Sequence, residues 1–258
     1  MFAADQQPRE FDFWEMRDTA GHGSSATGPG EAASTTADVN VLSVSRRVIS
    51  RVVRDLSKAR MRCQLMDGLP FVLARAVRLA NIPNGSGPIG AIDWGFTSAT
   101  FCVVSDGRPL FTRHLRKCGF GLLTGAVSRM LGLSEDEATE LLTGYGMPDP
   151  ACREGKRKEV QEMLAEITAH HLLEIAEEIV KTISYLKIQY PGIVPEGLCL
   201  FGSGATVKNI TMLLSETVQL PVDVWRLPDS DNPRHDETSN PPELLGTAVA
   251  LSALAWES

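Results

Sequence analysis

The chain of 258 residues has no uninterrupted apolar run near the ~18 residues that a membrane-spanning helix requires, so membrane association is expected only through a partner. Cysteine is sparse, with five residues at Cys63, Cys102, Cys118, Cys152 and Cys199. None forms a Cys-x-x-Cys pair and no stretch reads as a secretory leader, so the expected compartment is the reducing cytoplasm. Positive charge is in deficit: the formal net charge of −7 argues against a nucleic-acid partner, because such binding needs Lys and Arg to neutralise phosphates. No Gly-x-x-x-x-Gly-Lys phosphate loop occurs, which disfavours a P-loop NTPase. Large apolar residues are almost missing between Asp18 and Asp38, a composition that cannot offset the entropy of ordering and reads as a flexible loop. The remainder is ordinary globular material, and 43% apolar content is enough for one domain or two modest ones.

The most informative stretch runs from Ile89 to Arg113. An apolar run ends in Asp93, Gly95 breaks it, and a hydroxyl-rich restart alternates into Asp106-Gly107, a strong hairpin pair. A three-strand meander is predicted. Its first turn would gather the Asp93 carboxylate, the Thr97 and Ser98 hydroxyls and backbone N–H groups near Gly95, a set able to hold a phosphate and its magnesium. An ordinary tight turn is the other reading of the same residues.

Before the meander, Phe11–Met16 and Val39–Val44 read as strands, and a helix entered at Ser45 carries Val48, Ile49, Val52, Val53 and Leu56 on one side and Arg46, Arg47, Arg51, Arg54 and Lys58 on the other. Met61–Asp67 reads as a further strand, Pro70 opens a helix, and Ile82–Pro88 reads as the domain boundary. After the meander, helices are predicted from about Leu122 to Leu131, from Ser134 with a capping box to Glu137, and from Arg153 to about Tyr190. His170 and His171 are adjacent and lack the i, i+4 spacing of a metal pair, so no metal role is expected for them. Gly197–Phe201 is a short apolar strand running into Gly202-Ser203-Gly204-Ala205, with a helix expected from Thr206 to about Thr217. That turn lets backbone approach a ligand, or is a plain strand-to-helix connection. Pro221–Trp225 reads as a strand, Asp229–Asn240 as a polar loop, and Glu243 to about Trp256 as a closing helix.

Three stretches together resemble the PilM family of type IV pilus assembly proteins: Ser57–Asp67 with Phe71–Ala76; Ala91–Asp93 through Gly107–Arg113 to Leu123-Thr124, Leu131–Ser134 and Glu137-Ala138; and Phe201–Ala205. The resemblance covers roughly residues 39 to 258. It implies an α/β chain of the actin-like (ribonuclease H-like) ATPase fold, with an incomplete first domain and a complete second domain. On that basis residues 1–38 form a poorly ordered N-terminal segment, 39–85 a remnant of the first domain and 86–258 the second. Asp93, Gly95, Thr97 and Ser98 then correspond to the second phosphate loop, with Asp93 orienting magnesium or the attacking water. Gly202, Ser203 and Gly204 match the adenosine turn, and Glu178 and Lys181 on the preceding long helix would face the ribose.

The implied cofactors are ATP and Mg2+. The implied partner is the cytoplasmic tail of an inner-membrane pilus or secretion component, with homo-oligomers compatible and membrane contact peripheral. A second Asp-x-Gly hairpin, the family's first phosphate loop, is missing ahead of Val39, so any ATPase activity is expected to be weak. The expectation is either a start internal to a longer protein or a degenerate family member. A nucleotide-free scaffold and a small-molecule kinase of the same superfold are the alternatives.

Overall fold

The computed structural model describes residues 8–15, 39–80, 87–152, 154–227 and 241–256. The Asp18–Asp38 and Asp229–Asn240 segments, and residues 82–86 of the expected boundary, lie outside the described residues. The chain divides into two units, Met1–Gly68 and Leu69–Ser258.

In the first unit β1 (Arg9–Glu15) pairs antiparallel with β2 (Val39–Ser45), which leads into α1 (Arg46–Lys58). Ser45 caps this helix, accepting from the Arg47 N–H at 3.3 Å. The strand expected at Met61–Asp67 does not form, and those residues are irregular. No described strand pairs with them, and Met61, Leu65 and Met66 stay exposed. Alternating apolar residues make a strand only where a neighbour takes up the backbone N–H and C=O groups.

The second unit is built on a five-stranded sheet in the order β5-β4-β3-β6-β7. The meander is β3 (Ile89–Trp94), β4 (Ala99–Ser105) and β5 (Arg108–Leu115), antiparallel throughout; β6 (Gly197–Phe201) and β7 (Val222–Val224) extend it in parallel. The β4–β5 turn places Asp106 and Gly107 at positive φ, 50° and 70°, as an Asp-Gly hairpin turn requires. Helices cover both faces. On one lie α3 (Gly121–Leu131), α4 (Glu135–Tyr145), α5 (Lys156–Gln189) and α6 (Ile210–Val218), packed on Ile92, Trp94, Phe101 and Leu200. On the other lie α2 (Leu69–Leu79) and α7 (Pro242–Ala253), packed on Ala91, Cys102, Val104 and Phe201. Strand side chains alternate between the two cores, which explains why the central strands are apolar on both sides.

The boundary at Gly68 falls ahead of α2 because Val72, Leu73, Ala74 and Ala76 are buried against the second sheet. Trp225, just beyond β7, locks this face: its Nε1 donates to the Ala76 carbonyl at 2.7 Å. The expected Ser134–Glu137 capping box is present at the start of α4. The helix expected from Thr206 is shorter: Ser203–Thr206 is a 3-10 turn, and α6 begins only after Asn209, which sits at φ 63° and breaks the helical path.

Candidate functional site

The meander and the parallel pair β3–β6 bring two turns to one end of the sheet. Asp93 stands opposite Thr100 on one side and Phe201 on the other. By strand alternation its side chain belongs to the α2 and α7 face. It is half-buried and, among the described residues, carries no hydrogen bond or ion pair. Burial raises its carboxyl above the ordinary value.

The Gly95–Ser98 connection is tied to the start of α3: Phe120 N–H donates to the Gly95 carbonyl at 2.9 Å and Gly121 N–H to the Phe96 carbonyl at 2.8 Å. The carbonyls are thus satisfied, while the N–H groups of Phe96, Thr97 and Ser98 donate no hydrogen bond among the described residues. Such a run of free N–H groups is a potential anion cradle.

The second turn follows β6. Gly202 has φ +80°, and a Cβ there would lie 2.8 Å from the Trp94 carbonyl oxygen and 3.0 Å from Asp93 Oδ1. Asp93 and Gly202 are therefore in direct approach. Gly202 N–H donates to the Glu243 carbonyl at 3.0 Å, joining the turn to the start of α7. At Gly204 packing by itself requires a glycine. It is buried, and a Cβ at 204 would run into the Trp94 ring.

A groove of about 580 Å³ opens beside this turn. Ser203, Thr206, Lys208 and Arg226 line one side, Phe96 and Phe120 another, and Thr139 and Thr143 of α4 a third. Asp93, Gly95, Thr97 and Ser98 are not among its lining residues. The structure does not bring Glu178 and Lys181 there either. They line a separate groove of about 440 Å³ with His114, Lys117 and Cys118. There Glu178 pairs with Arg113 of β5 at 2.6 Å and with Lys181 at 3.2 Å, and Arg113 also donates to Thr182 at 2.7 Å. The helices presented to the Ser203 groove are α4 and the start of α7, and Thr139 and Thr143 of α4 are lining residues that sequence reasoning missed. Their i, i+4 spacing was the available sign of a shared face.

The residues present fit a nucleotide with magnesium in part. The groove has the volume of a small-molecule site, with hydroxyls, the cations Lys208 and Arg226 and the opposing Glu243 carboxylate on its walls. Among the described residues Asp93 is a carboxylate without a counter-charge, and the free N–H groups of Phe96–Ser98 follow it closely in the chain.

The five-stranded sheet with helices on both faces is a mixed α/β architecture of the actin-like ATPase fold. No protein-family model matches the chain, and no curated protein sequence matches it. Among solved structures it is similar to a chain of the PilM–PilN type IV pilus biogenesis complex, with a TM-score of 0.69 and 19% identity over 97% of this chain and 67% of that one. MreB5 of Spiroplasma citri bound to AMPPNP gives a TM-score of 0.59 at 14% identity, over 81% of this chain and 65% of its own. Ethanolamine utilization protein EutJ from Carboxydothermus hydrogenoformans gives 0.56 at 13% identity, over 81% and 61%. The chain thus spans about two thirds of the length of these structures, and at such identities the likeness shows the fold. No helix among the described residues is long and apolar enough to cross a membrane.

Proposed function

We propose that the protein is a PilM-like assembly protein that binds ATP with Mg2+ at the Asp93–Gly202 end of the sheet and engages the cytoplasmic tail of an inner-membrane pilus or secretion component. The observation that carries the nucleotide part is the convergence of Asp93, the free N–H groups of Phe96–Ser98 and the Ser203 groove at one end of the sheet. The likeness to a chain of the PilM–PilN type IV pilus biogenesis complex supports a partner of the pilus-assembly class. Bound magnesium would supply charge neutralisation at the phosphates. Arg226 and Lys208 add positive charge, the Thr139, Thr143 and Ser203 hydroxyls offer polar contacts to sugar or base, and Phe96 and Phe120 form an apolar wall. Nucleotide sets conformation and assembly, with slow turnover at most.

A second reading, a nucleotide-free scaffold of the same fold, is favoured by one observation: the Trp94 ring accounts for Gly204 without any ligand. Calorimetric titration with ATP and magnesium separates the two. Saturable binding that weakens at least ~10-fold, or ~1.4 kcal/mol, in Asp93→Asn and in Thr143→Arg is expected. A folded chain that gives neither heat nor thermal stabilisation at millimolar ATP is a scaffold. Capture by immobilised tail peptides of pilus inner-membrane components tests the partner, and failure to bind any of them removes that part of the proposal.

A further inference from the structure

At the edge of the Glu178 groove, which Glu174 also lines, three metal-ligating side chains of α5 converge: His170, His171 and Glu174. Adjacent helical residues diverge by about 100°, so the two histidines alone make no chelate. Glu174 changes the geometry. It lies four residues from His170 and three from His171, the separations at which helical side chains share a face. Its Oε1 is 3.6 Å from His170 Nε2 and its Oε2 3.2 Å from His171 Nδ1. The imidazole centroids are 5.3 Å apart, and the three donor atoms lie within 4.8 Å of one another. In a tetrahedral site with bonds near 2.0 Å, donors sit about 3.3 Å apart. The two distances, each to a different oxygen of Glu174, are near that value, and with one donor atom from each residue all three lie within 4.8 Å, so side-chain rotation is needed to close the site.

The position suits ligation in other respects. Leu172 and Ile175 of the same turn are buried in the core, so the backbone carrying the donors is fixed. His171 keeps 21% side-chain exposure and His170 76%, which leaves one imidazole held against the protein and the outer side open to solvent.

We propose that His170, His171 and Glu174 form a surface site for a divalent transition-metal ion of the zinc and nickel class, with its open positions taken by water or by a donor from a second molecule. Two imidazole nitrogens and one carboxylate suit such ions, whereas Mg2+ and Ca2+ prefer oxygen ligands. The site is therefore chemically separate from any magnesium at Asp93.

The test uses the full chain carrying Cys63→Ser and Cys152→Ser, which removes the two half-buried thiols, after stripping with a chelator. Ni2+ is titrated by calorimetry and Co2+ by its visible absorption. One saturable site is expected, at least ~10-fold weaker in each of His170→Ala, His171→Ala and Glu174→Gln, with circular dichroism unchanged in all three. Absence of saturable Ni2+ and Co2+ binding up to millimolar metal overturns the proposal and leaves the cluster as ordinary helical ion pairs. Binding that all three variants retain at full strength overturns it as well, since the metal then sits elsewhere.

Discussion

The indole of Trp94 occupies the space that a side chain at residue 204 would need. Trp94 follows Asp93 on β3, and Gly204 follows β6, its parallel neighbour. The turn that resembles a ligand-binding glycine loop is thus also a piece of core packing. Trp94 is fully buried, and truncation of such a ring costs about 3–5 kcal/mol.

Gly204→Ala should therefore destabilise the folded chain by about 1–3 kcal/mol, as overpacking does, whether or not nucleotide is present. Urea unfolding is expected to show a lower midpoint with an unchanged slope. A Trp94→Leu, Gly204→Ala double variant should lose less than the sum of the two single losses, because the smaller side chain relieves the overlap. Strict additivity would disprove the contact's role.

Asp93 makes stability depend on pH in a defined direction. Its carboxyl is raised above the ordinary value by burial, so the folded state holds its proton to higher pH than the unfolded state does. Below the unfolded pKa both states are protonated and there is no penalty. The penalty develops as pH rises from the ordinary carboxylate value to the raised one and is complete above it. Asp93→Asn should accordingly raise the melting temperature at pH 7, by an amount that shrinks as the buffer is taken down into the ordinary carboxylate range. A gain that grows on acidification would contradict the burial argument.

Trp225 joins α2 to the far edge of the sheet through its hydrogen bond to Ala76 and its ring contact with Phe201, centroids 5.9 Å apart. Trp225→Phe keeps an aromatic ring but loses the donor and leaves a void. A loss of about 1–3 kcal/mol is expected from these two effects, read in the same urea experiment.

The thiols divide by burial. Cys102, Cys118 and Cys199 are buried, and burial pushes Cys102 and Cys118 up to about 11 and Cys199 higher still. Cys63 and Cys152 are half-buried. At pH 8 an aromatic disulfide reagent should titrate two thiols in the native chain and all five after denaturation. Rapid reaction of a third thiol in native buffer would show that one of the buried sites opens readily.

Features governed by near neighbours in the chain were legible in the sequence. The Asp106-Gly107 turn, the Ser134–Glu137 box and the end of the long helix at about Tyr190 each depend on a few consecutive residues, and each forms as expected. Asp93 and Gly202 were also named from the sequence, because a strand ending in an acid and a strand ending in a glycine turn are local patterns. Their adjacency depends on the parallel pairing of β3 with β6 across more than a hundred residues, a relationship suggested by resemblance and realised in the sheet.

What only the tertiary structure decided concerns partners. Met61–Asp67 has a strand's alternation but no strand to pair with among the described residues, and it stays irregular. Along the 34 residues of α5, periodicity marks an apolar side but cannot say which turn meets which strand; packing against β5 gave Glu178 to Arg113 and left the Ser203 groove to Thr139 and Thr143 of α4. The approach of Glu174 to both His170 and His171 likewise follows only from side-chain directions on a formed helix. Turns and caps are settled by interactions within a few residues, so the chain carries them in its order. Which long-range surfaces meet is settled by how whole elements fill a core.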